Sequence, residues 1–203
     1  MCTAVLSTTY FGPIQWYQKL HRYESCIILQ DEQFLKQTYR NRCVIATANG
    51  LQALTVPVEK GERNIRNIRI SDHGNWRHVH WNALVSAYGD SPFFQYYADD
   101  IRPFFEQRWT FLYDYNLEIT LKMCELLDIH PHLLEAEHLD RQKRTKEDFR
   151  SFTDIINPKH PLDDSEFEPR RYYQVYEQRH GFQPNLSILD LLFNQGNESI
   201  LYL

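Results

Sequence analysis

The chain has 203 residues, 42% hydrophobic and 14% aromatic with only 7 glycines, which is enough apolar material for a sizeable core and excludes a low-complexity protein. A formal charge of -5, from 27 acidic against 22 basic residues without long blocks of one sign, lacks the electrostatic footprint of a nucleic-acid binder. No apolar run approaches the ~20 residues of a membrane span.

The four cysteines, Cys2, Cys26, Cys43 and Cys124, show no CxxC or paired spacing. Three of them sit in apolar runs, where a thiol behaves as a small hydrophobe. The first residues show neither the basic region nor the long apolar core of a secretory signal. The expectation is a reduced, soluble, cytoplasmic protein.

In chain order, residues 3–9 are β-prone, and Tyr10-Phe11-Gly12-Pro13 breaks that run ahead of helical spacing at Ile14, Tyr17 and Leu20. A second strand at 26–29 follows, so the opening is a βαβ unit with a parallel pair and a right-handed crossover. Runs at 43–48 and 51–58 flank Asn49-Gly50, a strong hairpin signal. Alternation of Ile68 and Ile70 with Asn67 and Arg69 predicts a half-buried fifth strand over 64–71.

From residue 75 the pattern turns helical. Trp76, Val79, His80, Ala83, Leu84, Ala87 and Tyr88 share one helical face, with Gly89 as the stop. Ser91-Pro92 reads as the N-cap and first-turn proline of the next helix. A long amphipathic helix is expected over 110–127. Residues 135–150 are charged and open between helix and loop, and 157–169 read as a linker or irregular excursion. A helix is expected over 170–179 with Gly181 behind it, then an apolar turn over 188–193. The fold class is therefore α/β: a small mixed sheet with a βαβ start and a hairpin over 1–74, followed by a mainly helical part over 75–203, together one domain.

Between two apolar strands, residues 31–42 gather Asp31, Gln33, Lys36, Arg40, Asn41 and Arg42. A polar connection held between core strands is where α/β proteins often keep their chemistry. If it is helical, Lys36 and Arg40 share a face; if it is extended near its end, Arg40 and Arg42 do. Either geometry suits a phosphate or carboxylate, while the alternative is a solvated charged helix. Asp31 is the candidate for a carboxylate that meets a hydroxyl or amine. The turn at 10–16 places Tyr10 and Gln15 at a helix start whose free N–H groups suit an anion.

His73, His78 and His80 raise the question of a metal, but His78 and His80 project to nearly opposite faces of a helix, so no metal site is expected. His80, on the apolar face, is a candidate general acid or base. There is no GxGxxG, P-loop, Gly-x-Ser-x-Gly or HExxH motif, so neither a standard dinucleotide cofactor nor a nucleophilic hydrolase is indicated, and the cofactor is left unnamed.

Tyr10-Phe11-Gly12-Pro13, the run Gln33, Phe34, Lys36, Thr38, Tyr39, Arg40, Asn41 and Arg42, and Leu54 to Val58 together resemble the WbqC-like protein family. The resemblance continues through Ile70, Ser71, Trp76, His80, Tyr88 and Ser91-Pro92-Phe93-Phe94 and closes over 181–196, collinear along nearly the whole chain. Relatives open with Gln-Pro ahead of the tyrosine; here Thr8-Thr9 stands there, so no role of that glutamine transfers. The family is typically encoded among bacterial surface-polysaccharide genes, including O-antigen clusters.

The resemblance implies a cytoplasmic bacterial protein acting on activated sugars, and it carries over no assigned catalytic residue. The expected activity is transfer of an acyl, aminoacyl or nucleotidyl group involving an activated sugar, without a covalent nucleophile. Asp31 and His80 would serve as acid/base groups. Tyr10, Gln15, Gln33, Lys36, Arg40, Asn41 and Arg42 would bind a phosphate- or carboxylate-bearing ligand such as a nucleotide-sugar. The alternative is a non-catalytic binding or scaffolding protein that meets a pathway enzyme.

Overall fold

The computed structural model describes residues 2–135 and 149–203. The βαβ opening forms as expected: β1 (Thr3–Ser7), α1 (Ile14–Arg22) and β2 (Ser25–Leu29), with β1 and β2 parallel from the Thr3↔Ser25 pair to Ser7↔Leu29. Both strands are buried through their centres, which is why their sequences are continuous apolar runs without alternation. A third strand, β5 (Phe149–Ser151), runs parallel on the other side of β1, giving the order β2-β1-β5. It is three residues long and carries Arg150 at its centre, so its sequence has no strand signature.

The hairpin stands apart as a two-stranded antiparallel sheet, β3 (Arg42–Thr47) and β4 (Gly50–Thr55). Thr47 pairs with Gly50, which leaves Ala48 and Asn49 as the loop and puts Gly50 at φ 106°, a conformation that favours glycine. The expected fifth strand over 64–71 does not form. Asn64 accepts a hydrogen bond from the Arg66 N–H and nucleates a 3-10 turn over Ile65–Asn67. Only isolated bridges, Gln33↔Asn64, Val58↔Ile70 and Arg69↔Phe111, remain of the ladder. The three-residue step from Ile65 to Ile68 suits that turn and buries both side chains.

The helical part comprises α2 (Trp76–Tyr88), α3 (Phe94–Ile101), α4 (Pro103–Glu106), α5 (Leu112–Leu126), α6 (Glu177–His180) and α7 (Ile188–Gln195). Helix α2 buries Trp76, His80, Leu84, Ala87 and Tyr88 as predicted, but Val79 is 53% exposed because the buried stripe is narrower than the apolar pattern. Phe93 precedes α3 in the N-cap position, so Ser91 does not cap it. Residues 170–176 are not helical: Tyr172 and Gln174 alternate inward as in a strand and bond to Asp190 of α7. Those tertiary bonds displace the helix, leaving one turn before Gly181 at φ 72°. The question of helix or loop over 135–150 lies mostly outside the described residues.

One apolar cluster joins sheet, hairpin and helices: Leu6, Trp16 and Ile28 pack in the same core as Ile45, Leu84, Ile119 and Leu192. Each fully buried large side chain contributes ~1.5–3 kcal/mol. Aromatic rings concentrate at its centre, where Phe11 lies against Phe104 and Phe105 and Tyr10 stacks on Tyr115 at 5.9 Å.

Candidate functional site

The stretch 31–42 is irregular, so Lys36 and Arg40 do not share a helical face. It splits into two halves. Asp31, Gln33 and Lys36 are exposed, whereas Thr38, Tyr39, Arg40 and Asn41 are buried. The buried half binds three parts of the fold together. The Tyr39 carbonyl accepts from Tyr10 N–H, Asn41 Nδ2 donates to the Val56 carbonyl, and Asn116 Nδ2 of α5 donates to the Arg40 carbonyl. The Arg40 guanidinium is engaged by protein: Nε donates to Glu32 at 2.9 Å, Nη2 to Ser7 at 2.8 Å and to the second Glu32 oxygen, and Nη1 to Thr38 at 3.4 Å. Arg42 turns aside to Thr55 Oγ1. The residual space beside Arg40 at the carboxyl end of β1 is about 10 Å³, room for no more than about one water molecule.

The start of α1 is likewise closed. Ile14 N–H donates to the Leu186 carbonyl, Gln15 N–H to Asn185 Oδ1, and Trp16 N–H to the Pro13 carbonyl. The N–H groups expected to face an anion are therefore taken, two by the segment leading into α7 and one by Pro13. The Gln15 side chain points elsewhere, to Asp164 at 2.8 Å and Asn185 at 2.9 Å. Tyr10 and His80, distant in sequence, do meet: Tyr10 Oη is 2.9 Å from His80 Nδ1 in a fully aromatic setting. The imidazole also hydrogen-bonds the Thr55 backbone, and burial holds its pKa down at about 4. It is a neutral, fixed ring.

A more open concentration of charge lies at the start of α2. Arg77 and His78 of α2, Arg102 just before α4 and Glu106 at its end, Arg108 and Asp72 surround a cleft of about 330 Å³ with Trp81 and Phe105 as its apolar wall. Trp81 and Phe105 have ring centroids 5.8 Å apart. The chain enters α2 through Gly74 at φ 78° and Asn75 at φ 48°, consecutive left-handed residues that turn Arg77 back over Asp72. Asn75 makes no side-chain cap, and the first turn of α2 holds no acid. Cations at a helix N-terminus oppose its dipole by ~0.3–1 kcal/mol each, so the sequence here is not chosen for helix stability.

Arg77 carries the cleft's geometry. Its side chain is 13% exposed, stacks on the Trp76 ring at 4.6 Å and pairs through Nη1 with Asp72 at 2.6 Å. Its Nε and Nη2 are closed off from solvent and have no acceptor among the described residues. The aromatic face compensates part of that loss. Arg108 reaches the other Asp72 oxygen at 3.6 Å, and Arg102 pairs with Glu106 at 2.6 Å. The Arg77 hydrogen bond is the main reason the Asp72 carboxyl is held below its ordinary pKa. Three arginines against two carboxylates leave the cleft attractive to an anion. Among the described residues, no three of His, Cys, Asp and Glu come together as a metal site; His78 Nε2 instead accepts from Asn82.

A model of the WbqC-like protein family matches residues 8–161 and 162–202. The chain belongs to that family. It is similar to the uncharacterized protein Rv1507c of Mycobacterium tuberculosis (strain ATCC 25618 / H37Rv), 29% identical over 222 residues that cover 98% of this chain and 96% of the relative. No solved structure matches it. No helix among the described residues is long and apolar enough to cross a membrane. Of the cleft residues, only those near the histidines at 73–80 stand out in the sequence. Arg77, Arg102 and Arg108 come from separate segments, and the only local signal was a helix start rich in cations.

Proposed function

We propose that this protein binds a small phosphate- or carboxylate-bearing metabolite in the Arg77 cleft, as an enzyme of surface-glycan precursor synthesis. The observation that carries the reading is the convergence of Arg77, Arg102 and Arg108 on one cleft at a helix N-terminus, where three arginines face two carboxylates. Arginine presents a planar fork that matches phosphate or carboxylate oxygens in pairs. Trp81 and Phe105 offer a flat wall for a sugar or base, and Asp72 and Glu106 are placed to accept from its hydroxyl groups.

The resemblance to proteins encoded with surface-polysaccharide genes narrows the ligand to an activated sugar and the reaction to transfer of an acyl, aminoacyl or nucleotidyl group. Catalysis would rest on positioning and charge rather than a covalent nucleophile. His80, on the buried face of α2, bonds Tyr10 in the core behind the helix and so holds the helix in place.

The test is a thermal-shift and calorimetric series with a nucleoside-diphosphate sugar, a sugar 1-phosphate and inorganic phosphate. A ligand that binds only the folded state raises the apparent midpoint. Arg77→Gln and Arg108→Gln should each weaken binding by roughly tenfold or more, the equivalent of one lost charge-assisted hydrogen bond. Binding that is undiminished in both variants refutes the site. Tight binding of the sugar with no group transferred to any acceptor would leave a ligand-binding protein and remove the transferase.

A further inference from the structure

A further cavity lies at the opposite end of the parallel sheet, near the amino ends of β1 and β2. It measures about 660 Å³, and its floor is Lys19. This lysine sits on the last turn of α1 yet is only 1% exposed. Its Nζ lies 2.8 Å from Asp164 Oδ2, 3.7 Å from Glu166 Oε2 and 4.8 Å from the centroid of the Phe152 ring. Gln15 holds the same Asp164 oxygen at 2.8 Å, so the carboxylate is fixed from two sides. Burying such a pair costs desolvation energy that its attraction only roughly offsets, and an apolar side chain in that place stabilises a fold as well. A buried lysine at the floor of a cavity therefore calls for a reason other than stability.

The walls above it carry charges of both signs, with Arg22 paired to Glu168 at 3.2 Å. Arg22 and Arg150 supply cations, and Glu24, Glu166 and Glu168 supply carboxylates. With Lys19, that is three charges of each sign. Arg150 is 41% exposed and pairs with Glu166 through Nη1, leaving further guanidinium donors for a guest. Tyr23 Oη donates to the other Glu166 oxygen at 2.7 Å and orients it. A cavity walled by one sign would select an anion or a cation. Balanced charge of both signs within one small volume matches a guest that carries both.

We propose that the Lys19 cavity is a binding site for a small zwitterion, a free amino acid, with its carboxylate toward Arg150 and Arg22 and its ammonium toward Glu166 and the neighbouring acids. The site is independent of the Arg77 cleft and does not rest on the reading of that cleft. It would give the protein a second small-molecule ligand besides an anionic one.

Calorimetry and thermal shift with the full chain test this directly, using millimolar glycine, serine and glutamate, and acetate and methylamine as probes that carry only one of the two charges. The expected result is binding of at least one amino acid and of neither single-charge probe. Arg150→Gln and Glu166→Gln, both at partly exposed positions, should weaken it by roughly tenfold each, while Arg77→Gln leaves it unchanged. The proposal is overturned if no amino acid binds, if acetate or methylamine binds as well as the zwitterion, or if both cavity variants bind like the parent. A cavity variant with a lowered unfolding midpoint is assayed well below that midpoint, so that loss of binding is read on folded protein.

Discussion

Two buried titratable groups pull the stability of this protein in opposite directions over the same pH interval. Asp190 of α7 is fully buried, accepts from Tyr172 at 2.6 Å and from Gln174 at 3.2 Å, and is raised by burial from 3.8 to about 6. Between those values the folded state holds a proton that the unfolded chain has released. Its contribution is therefore largest at acid pH, falls as pH rises, and is lost above about 6.

His80 is lowered by burial from 6.5 to about 4. Across that interval the unfolded chain takes up a proton that the buried ring refuses, so its contribution rises with pH. Each shift corresponds to about 3 kcal/mol, and the two nearly cancel. Asp190→Asn keeps an acceptor for Tyr172 and should make stability climb more steeply from pH 4 to pH 6 than in the parent. His80→Gln keeps an acceptor for Tyr10 and should make it climb less or fall. Urea unfolding at several pH values, with each variant compared with the parent, reads the difference. If both variants tilt the profile the same way, or neither tilts it, the burial argument is wrong.

Arg40→Ala should cost ~3–5 kcal/mol, because it leaves Glu32 uncompensated at a site where the paired side chains are only 7% and 10% exposed. Adding Glu32→Gln should recover part of that loss, and a total effect below ~1 kcal/mol in chemical unfolding would reduce the pair to an ordinary surface contact. Gly196→Ala should destabilise by ~1–3 kcal/mol, since a Cβ there would stand 2.7 Å from the Phe93 ring and φ is 56°; an unchanged unfolding midpoint would contradict this.

The elements read correctly from sequence are those whose signals are local. The break at Tyr10–Pro13, the apolar runs of β1 and β2, the Asn49-Gly50 hairpin and the stop at Gly181 each depend on a few adjacent residues. The failures share a cause. Residues 170–176 have helical character alone, but Tyr172 and Gln174 find Asp190 across the core and the chain extends to reach it. Residues 64–71 alternate like a strand, yet Asn64 closes a turn on Arg66 first.

The polar stretch 31–42 shows the same division in the site. Its composition announced importance, and half of it is buried in the joint between β1, the hairpin and α5. What composition could not reveal is that Glu32 and Ser7 would occupy the Arg40 donors. It was equally silent on whether the start of α1 would be covered by Leu186 and Asn185.

Residue chemistry at short range thus settled the βαβ opening, the hairpin and the order of helices, because capping, turn geometry and hydrophobic period act within a few residues. Tertiary structure alone decided which charges are spent on one another and which line open space. Arg40 was consumed internally, while Arg77, Arg102 and Arg108 were gathered into a cleft and Lys19 was sunk beneath a cavity. A hydrogen-bond partner is a position in space, and only the folded chain sets it.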